Sequence, residues 1–133
     1  MEENHFSDLI GMEMVELEGG DFEVRLNVEA RHSSPAMRVH GGVFFSMIDT
    51  AMGRAVISAI DDDRGCATIE AKINYFRPVQ RGWVRATARC TNLSRRTAYT
   101  EAEIRDEEDR LIARATGTFM LTDSVRQVDR EGG

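Results

Sequence analysis

The stretch His40-Gly41-Gly42-Val43-Phe44-Phe45-Ser46-Met47-Ile48-Asp49 decides how this chain is read, because it joins a turn to a helix. A histidine and two glycines lead straight into an apolar run that holds one carboxylate. Within residues 43–60, Phe44, Met47, Ile48, Ala51, Met52, Ala55, Val56 and Ala59 recur at spacings of three and four, which predicts one long helix. A helix apolar over most of its circumference is expected to be buried. Asp49 then lies where a carboxylate is costly to keep. The N–H groups that start a helix stabilise negative charge, and a buried acid beside such donors is two parts of an acyl-transfer site.

Upstream, residues 4–10 form a short amphipathic segment with Asn4 or Ser7 as its cap. Residues 12–18, the turn Gly19-Gly20-Asp21 and residues 22–28 predict a hairpin, with Phe22, Val24, Leu26 and Val28 alternating with Glu23, Arg25 and Asn27. Ser33-Ser34-Pro35 breaks the pattern and opens an irregular loop that delivers His40. Downstream, Asp61-Asp62-Asp63-Arg64-Gly65 ends the helix in a solvated turn, and the period becomes two. Ala67, Ile69, Ala71, Ile73 and Tyr75 alternate with Thr68, Glu70, Lys72 and Asn74. Val84, Ala86, Ala88 and Cys90 alternate with Arg85, Thr87, Arg89 and Thr91. Two more strands cover about 98–105 and 111–121, and residues 123–133 read as a frayed polar tail.

The 133 residues make one domain, without repeat or linker. One long helix and five or six antiparallel strands bury their apolar faces if the sheet wraps round the helix, an α+β architecture. Gly42, Ser46, Asp49 and Gly53 recur every three or four residues as a small, polar stripe on that helix. Such a stripe is the footing a second helix needs at the seam of a symmetric dimer.

A net charge of −6 gives no electrostatic reason to expect nucleic acid or an anionic membrane as partner. Cys66 and Cys90 are isolated, without metal-ligand or redox spacing, so a reducing cytosol is the default. The acidic start Met1-Glu2-Glu3-Asn4 lacks the apolar core of a signal peptide. The long helix carries Asp49 and Arg54 and is not a membrane span. The expected compartment is the cytoplasm. Three scattered histidines make no metal site; His5 and His32 read as surface residues.

The His-Gly-Gly motif, with an acid nine residues after the histidine on an apolar helix, resembles the hotdog-fold acyl-CoA thioesterases, in particular their phenylacetate-degradation (PaaI-like) branch. The strand 67–76 followed by Arg77-Pro78-Val79 and Gly82 resembles the family's strand leaving the helix. The resemblance covers most of the chain and implies a hotdog fold, a long central helix wrapped by antiparallel sheet. It implies a thioester hydrolase in which the Gly41 N–H binds the thioester carbonyl and Asp49 serves as general base or nucleophile. His40 would shape the leaving-group side, and Thr68 would orient the water or the acid. The substrate implied is an acyl-CoA, with no cofactor beyond the coenzyme A of the substrate itself. The assembly implied is a homodimer, which the family also pairs into tetramers. One departure stands out: where the family often has Asn or Gln six residues before the histidine, this chain has the shorter Ser34.

The chemistry is consistent with that resemblance. A thiolate leaves readily, its reference thiol pKa being about 8.5, so no strong general acid is required. Gly41 and Asp49 lie eight residues apart, roughly 12 Å along a helix at about 1.5 Å per residue. One carbonyl carbon cannot reach both. Two antiparallel helices about a two-fold axis solve this, with Gly41 of one copy facing Asp49 of the other and two equivalent sites per dimer. Coenzyme A phosphates on an acidic protein call for a local cationic patch. Arg95 and Arg96, in the turn 92–97, are the first candidates, with Arg77 and Arg81 next. Gly42 and Phe45 join the substrate contacts, and Phe44, Phe45, Met47, Met52 and Tyr75 would line an aryl or alkyl pocket. Two alternatives remain: a hotdog dehydratase or hydratase acting on acyl-CoA or acyl carrier protein, and a non-catalytic acyl-CoA-binding protein.

Overall fold

A computed structural model describes residues 5–123. The Asn4 cap and nearly all of the polar tail, beyond Asp123, lie outside these residues. The elements are α1 (Phe6–Ile10), β1 (Glu13–Glu16), β2 (Phe22–Val28), α2 (Gly41–Ala59), β3 (Gly65–Tyr75), β4 (Gly82–Leu93), β5 (Thr97–Asp106) and β6 (Leu111–Thr122). The six strands form one antiparallel sheet in the order β1-β2-β4-β5-β6-β3. The cap of α1 is His5, whose N–H donates to Asp8 Oδ2 at 3.3 Å; Ser7 lies inside the helix. No helix among the described residues is long and apolar enough to cross a membrane.

The sheet curls round α2, which sits in its hollow. Phe44, Met47, Ile48, Ala51, Met52, Ala55 and Val56 are buried against it. Phe22, Val24 and Leu26 of β2, Val84, Ala86 and Ala88 of β4, and Ile104, Ile112, Ala113 and Phe119 of β5 and β6 meet them. The many alanines on the sheet leave room for a closely packed helix. Gly117 shows how close: an added Cβ would lie 2.8 Å from Met52 Cε and 3.1 Å from Thr100 Oγ1.

The expectation of a helix buried nearly all round is corrected. A single sheet covers one helix face, and Gly42, Phe45, Arg54, Ile57, Ser58 and Ala59 are exposed on the other. His32 is also corrected from surface residue to buried one, at 3% exposure. Its Nδ1 accepts from the Glu29 N–H at 2.8 Å, and its Nε2–H donates to the Ile10 carbonyl at 2.6 Å. The His32 carbonyl then accepts from the His40 N–H at 2.8 Å, while the Val39 N–H donates to Val79 at 2.8 Å. The loop that carries His40 is therefore pinned at both sides.

β3 departs from the simple alternation. Its pairing with β6 slips by one residue between Thr68 and Glu70, leaving Ile69 as the extra residue of a bulge. Before the bulge Cys66 and Thr68 face α2, and after it Ala71, Ile73 and Tyr75 do. Ala67 and Ile69, expected on the helix side, are exposed instead. A period of two keeps positions 68 and 75 on opposite faces; one inserted residue puts them on the same one.

Deleting Ile69 should force one half of β3 to turn its helix-facing side chains to solvent. Urea unfolding should then fall by about 2 kcal/mol or more, whereas Ile69→Val, which keeps the extra residue, should stay within about 0.5 kcal/mol of wild type.

Candidate active site

The first turn of α2 begins with two residues that have no side chain, and the surroundings explain both. A Cβ on Gly42 would lie 2.9 Å from His40 Nδ1, and one on Gly41 would lie 3.2 Å from both Cζ and the hydroxyl oxygen of Tyr75. His40 is the N-cap: its Nδ1 accepts from the Gly42 N–H at 2.8 Å, and its carbonyl accepts from the Val43 N–H at 2.9 Å. No hydrogen bond among the described residues takes up the Gly41 N–H. It is the uncommitted donor at the positive end of a 19-residue helix.

Two turns along, Asp49 is half-buried on the open side of α2. Its Oδ1 accepts from Thr68 Oγ1 at 2.8 Å. This corrects the picture of an acid sealed among apolar side chains, since Asp49 faces the uncovered flank. Asp49 has no ion pair among the described residues. Arg54, one turn on, instead lies over the Phe22 ring, 4.9 Å from its centroid. Thr68 reaches the acid only because the bulge at Ile69 shifts the phase of β3.

Cys66 stands next to this pair, with Sγ 3.7 Å from the Gly53 carbonyl. Burial pushes its thiol up to about 11, and the neighbouring charge of Asp49 adds to the effect. Near neutral pH it stays a thiol, not a nucleophilic thiolate.

The other candidates divide by position. Phe45 is exposed on the open helix face, and Tyr75 is half exposed with its hydroxyl donating to the Gly41 carbonyl at 2.8 Å. Phe44 is buried and packs near Tyr75, ring centroids 6.4 Å apart. Met47 and Met52 are core residues with no exposed surface. Ser34 Oγ accepts from the Ala36 N–H at 3.2 Å and so shapes the loop before His40. Gly42 and Ser46 lie on the open flank, Ser46 Oγ donating to the Gly42 carbonyl at 2.8 Å. Arg77 and Arg81 are exposed just beyond β3, at the Gly41 end. Arg95 and Arg96 lie at the opposite end: the Arg95 carbonyl accepts from Arg64 Nη2 at 3.4 Å and the Arg96 carbonyl from the Leu121 N–H at 2.8 Å. Within one chain the two pairs of arginines do not form one patch. Alternation put Tyr75 on the helix side, but its contact with Gly41 went unread in the sequence because the acceptor is a backbone carbonyl, which residue type does not mark.

The chain is similar to several known proteins. The thioesterase superfamily model matches residues 38–113, a segment that contains His40, Gly41, Asp49, Thr68 and Tyr75. The 1,4-dihydroxy-2-naphthoyl-CoA hydrolase of Listeria monocytogenes is 30% identical over 105 residues, covering 79% of this chain and 85% of that protein. A conserved protein of Pseudomonas aeruginosa is 40% identical in a structure with TM-score 0.85, covering 90% of this chain and 94% of the other. A mutant of the phenylacetic acid degradation protein PaaI of Thermus thermophilus is 31% identical with TM-score 0.78, covering 86% and 96%.

If Cys66 is held as a thiol, iodoacetamide at pH 7.5 should alkylate it far more slowly than a free cysteine. Cys66→Ser should leave turnover within about twofold of wild type. Rapid alkylation with matching inactivation would contradict its placement.

Proposed function

The chain belongs to the thioesterase superfamily and has its hotdog fold, and from that premise we propose that it hydrolyses a coenzyme A thioester. The observation that carries this reading is the pair of groups on the open flank of α2: an uncommitted Gly41 N–H and an Asp49 carboxylate held by Thr68. The first is an oxyanion donor and the second a base.

In this mechanism the Gly41 N–H donates to the thioester carbonyl and more strongly to the oxyanion formed on attack. Asp49 takes a proton from a water molecule as the water oxygen bonds to the carbonyl carbon. The Thr68 hydroxyl occupies Oδ1 and leaves Oδ2 to face that water. Collapse of the intermediate breaks the C–S bond, the electron pair leaves on sulfur, and the proton on Asp49 passes to the thiolate or to solvent. Attack by Asp49 itself, followed by hydrolysis of the anhydride, is the other form of the same chemistry. His40 has committed Nδ1 to the Gly42 N–H, which leaves Nε2 for the leaving-group side. A dehydratase needs a second acid–base group over the adjacent carbon, and among the described residues of one chain the partner of Asp49 is the Thr68 hydroxyl, which is no such group.

The site works as a homodimer in this reading. β3 is an edge strand with one side unpaired among the described residues, and the open flank of α2 lies beside it. Antiparallel pairing of β3 with β3 of a second copy continues the sheet and sets the two α2 helices side by side in opposite directions. Gly41 of one copy then approaches Asp49 of the other. The same pairing carries Arg77 and Arg81 of one copy toward Arg95 and Arg96 of its mate, which assembles a cationic patch for the phosphates of coenzyme A. Coenzyme A enters as part of the substrate, and no other cofactor is invoked. The Listeria relative is named for a naphthoyl-CoA and the Thermus relative for phenylacetic acid degradation. Aromatic esters therefore come first in a substrate panel, with Phe45 and Tyr75 as the ring-lined rim.

Asp49→Asn should lower kcat by about 100-fold or more, the usual worth of a general base, while binding of a non-hydrolysable CoA thioether stays within a few-fold. Survival of hydrolysis in that variant would refute the mechanism. Tight ester binding by a wild type that hydrolyses none of the panel would favour the non-catalytic reading.

A further inference from the structure

The two half-sites on α2 are each held by a hydroxyl from β3. Thr68 reaches Asp49, and seven residues further on Tyr75 reaches Gly41. Glycine is the most mobile residue in the chain, and two in succession make a poor platform for an oxyanion donor that works by being fixed in advance. Here both gaps left by the missing side chains are filled from outside. The His40 imidazole stands where a Cβ of Gly42 would press, and the Tyr75 ring stands where a Cβ of Gly41 would press, at 2.9 Å and 3.2 Å. The Tyr75 hydroxyl then donates to the Gly41 carbonyl at 2.8 Å, a carbonyl that also belongs to the first turn of α2.

We propose that Tyr75 is a positioning residue of the active site: by holding the Gly41 carbonyl it fixes the peptide unit that follows Gly41, and its ring packs against the glycine, so that rotation about Gly41, on which the direction of its N–H depends, is restrained. The proposal rests on the oxyanion role given to Gly41 above and adds what holds that donor still. Two features support it besides the hydrogen bond. The bulge at Ile69 puts Tyr75 on the helix side together with Thr68, so one irregularity serves both contacts. The Phe44 ring, itself buried, lies 6.4 Å from the Tyr75 ring and backs it. Burial raises the phenol above its ordinary pKa, so the hydroxyl keeps its proton, and its donor role, through the neutral range.

Tyr75→Phe keeps the ring against Gly41 and removes only the donated hydrogen bond. It should lower kcat about 3- to 10-fold, the size of effect expected for one hydrogen bond, with KM within twofold. The melting temperature should move by only a few degrees. Tyr99→Phe, on the outer face of the sheet and away from the site, is the control and should behave as wild type. Amide hydrogen exchange at Gly42, whose N–H is held by His40 Nδ1 and shares a peptide unit with the Gly41 carbonyl, reads the same claim by NMR on the intact protein without any substrate. Exchange at this amide should quicken in Tyr75→Phe and not in Tyr99→Phe. An unchanged kcat, a loss confined to KM, or unchanged exchange would overturn the proposal. Should exchange quicken in a protein that hydrolyses no thioester, the positioning would stand and the thioesterase reading would fall.

Discussion

The apolar stripe of α2 can be kept from water only by a sheet that bends round it, and the sheet has one layer to give. Phe44, Met47, Ile48, Ala51, Met52, Ala55 and Val56 take that layer. What is left is a flank of the same helix, still ordered by the core beneath it, on which Gly42, Phe45, Ser46 and Asp49 face outward or partly so. A rigid scaffold carrying reactive groups on its uncovered side is a good foundation for a site, because the packing that fixes the helix also fixes the groups. Stability and chemistry here draw on opposite faces of one element.

That division also sets the limit of a single chain. Gly41 and Asp49 stand about 12 Å apart at a rise of about 1.5 Å per residue, and no bend in α2 shortens the path. The open flank and the edge of β3, unpaired among the described residues, occur on the same side of the molecule, so the proposed partner copy would satisfy both. In this account the dimer is a condition of catalysis and not an addition to it.

Much of this was legible in the residues. The spacing of three and four located α2, the period of two located the strands, and His40-Gly41-Gly42 marked the helix entry. Where reading failed, it failed for local reasons. Alternation placed Ala67 and Ile69 with Ala71 and Tyr75 because a bulge is a matter of register, and register depends on β6 as much as on β3. His32 looked like a surface histidine because its partners are backbone groups of Glu29 and Ile10, which carry no signature in side-chain type. Asp49 looked sealed because helical periodicity counts apolar residues without knowing how many faces the sheet can cover. The contact of Tyr75 with Gly41 escaped for the same reason as those of His32, since its acceptor is a backbone carbonyl.

The central claim, that each site takes Gly41 from one copy and Asp49 from the other, is tested most directly by a mixed dimer. Gly41→Pro deletes the donor N–H at a first helical position whose backbone accepts proline, the Tyr75 ring giving slightly before a new Cβ 3.2 Å away, and His40, at ψ 135°, already has the extended backbone required before it. Asp49→Asn deletes the base. A heterodimer of these two variants, purified through distinct tags, contains one site with both defects and one with neither if the sites are shared. It should recover about half of the wild-type turnover per dimer, although each parent homodimer is inactive. A heterodimer as inactive as its parents would place Gly41 and Asp49 of each site in the same subunit and contradict the account.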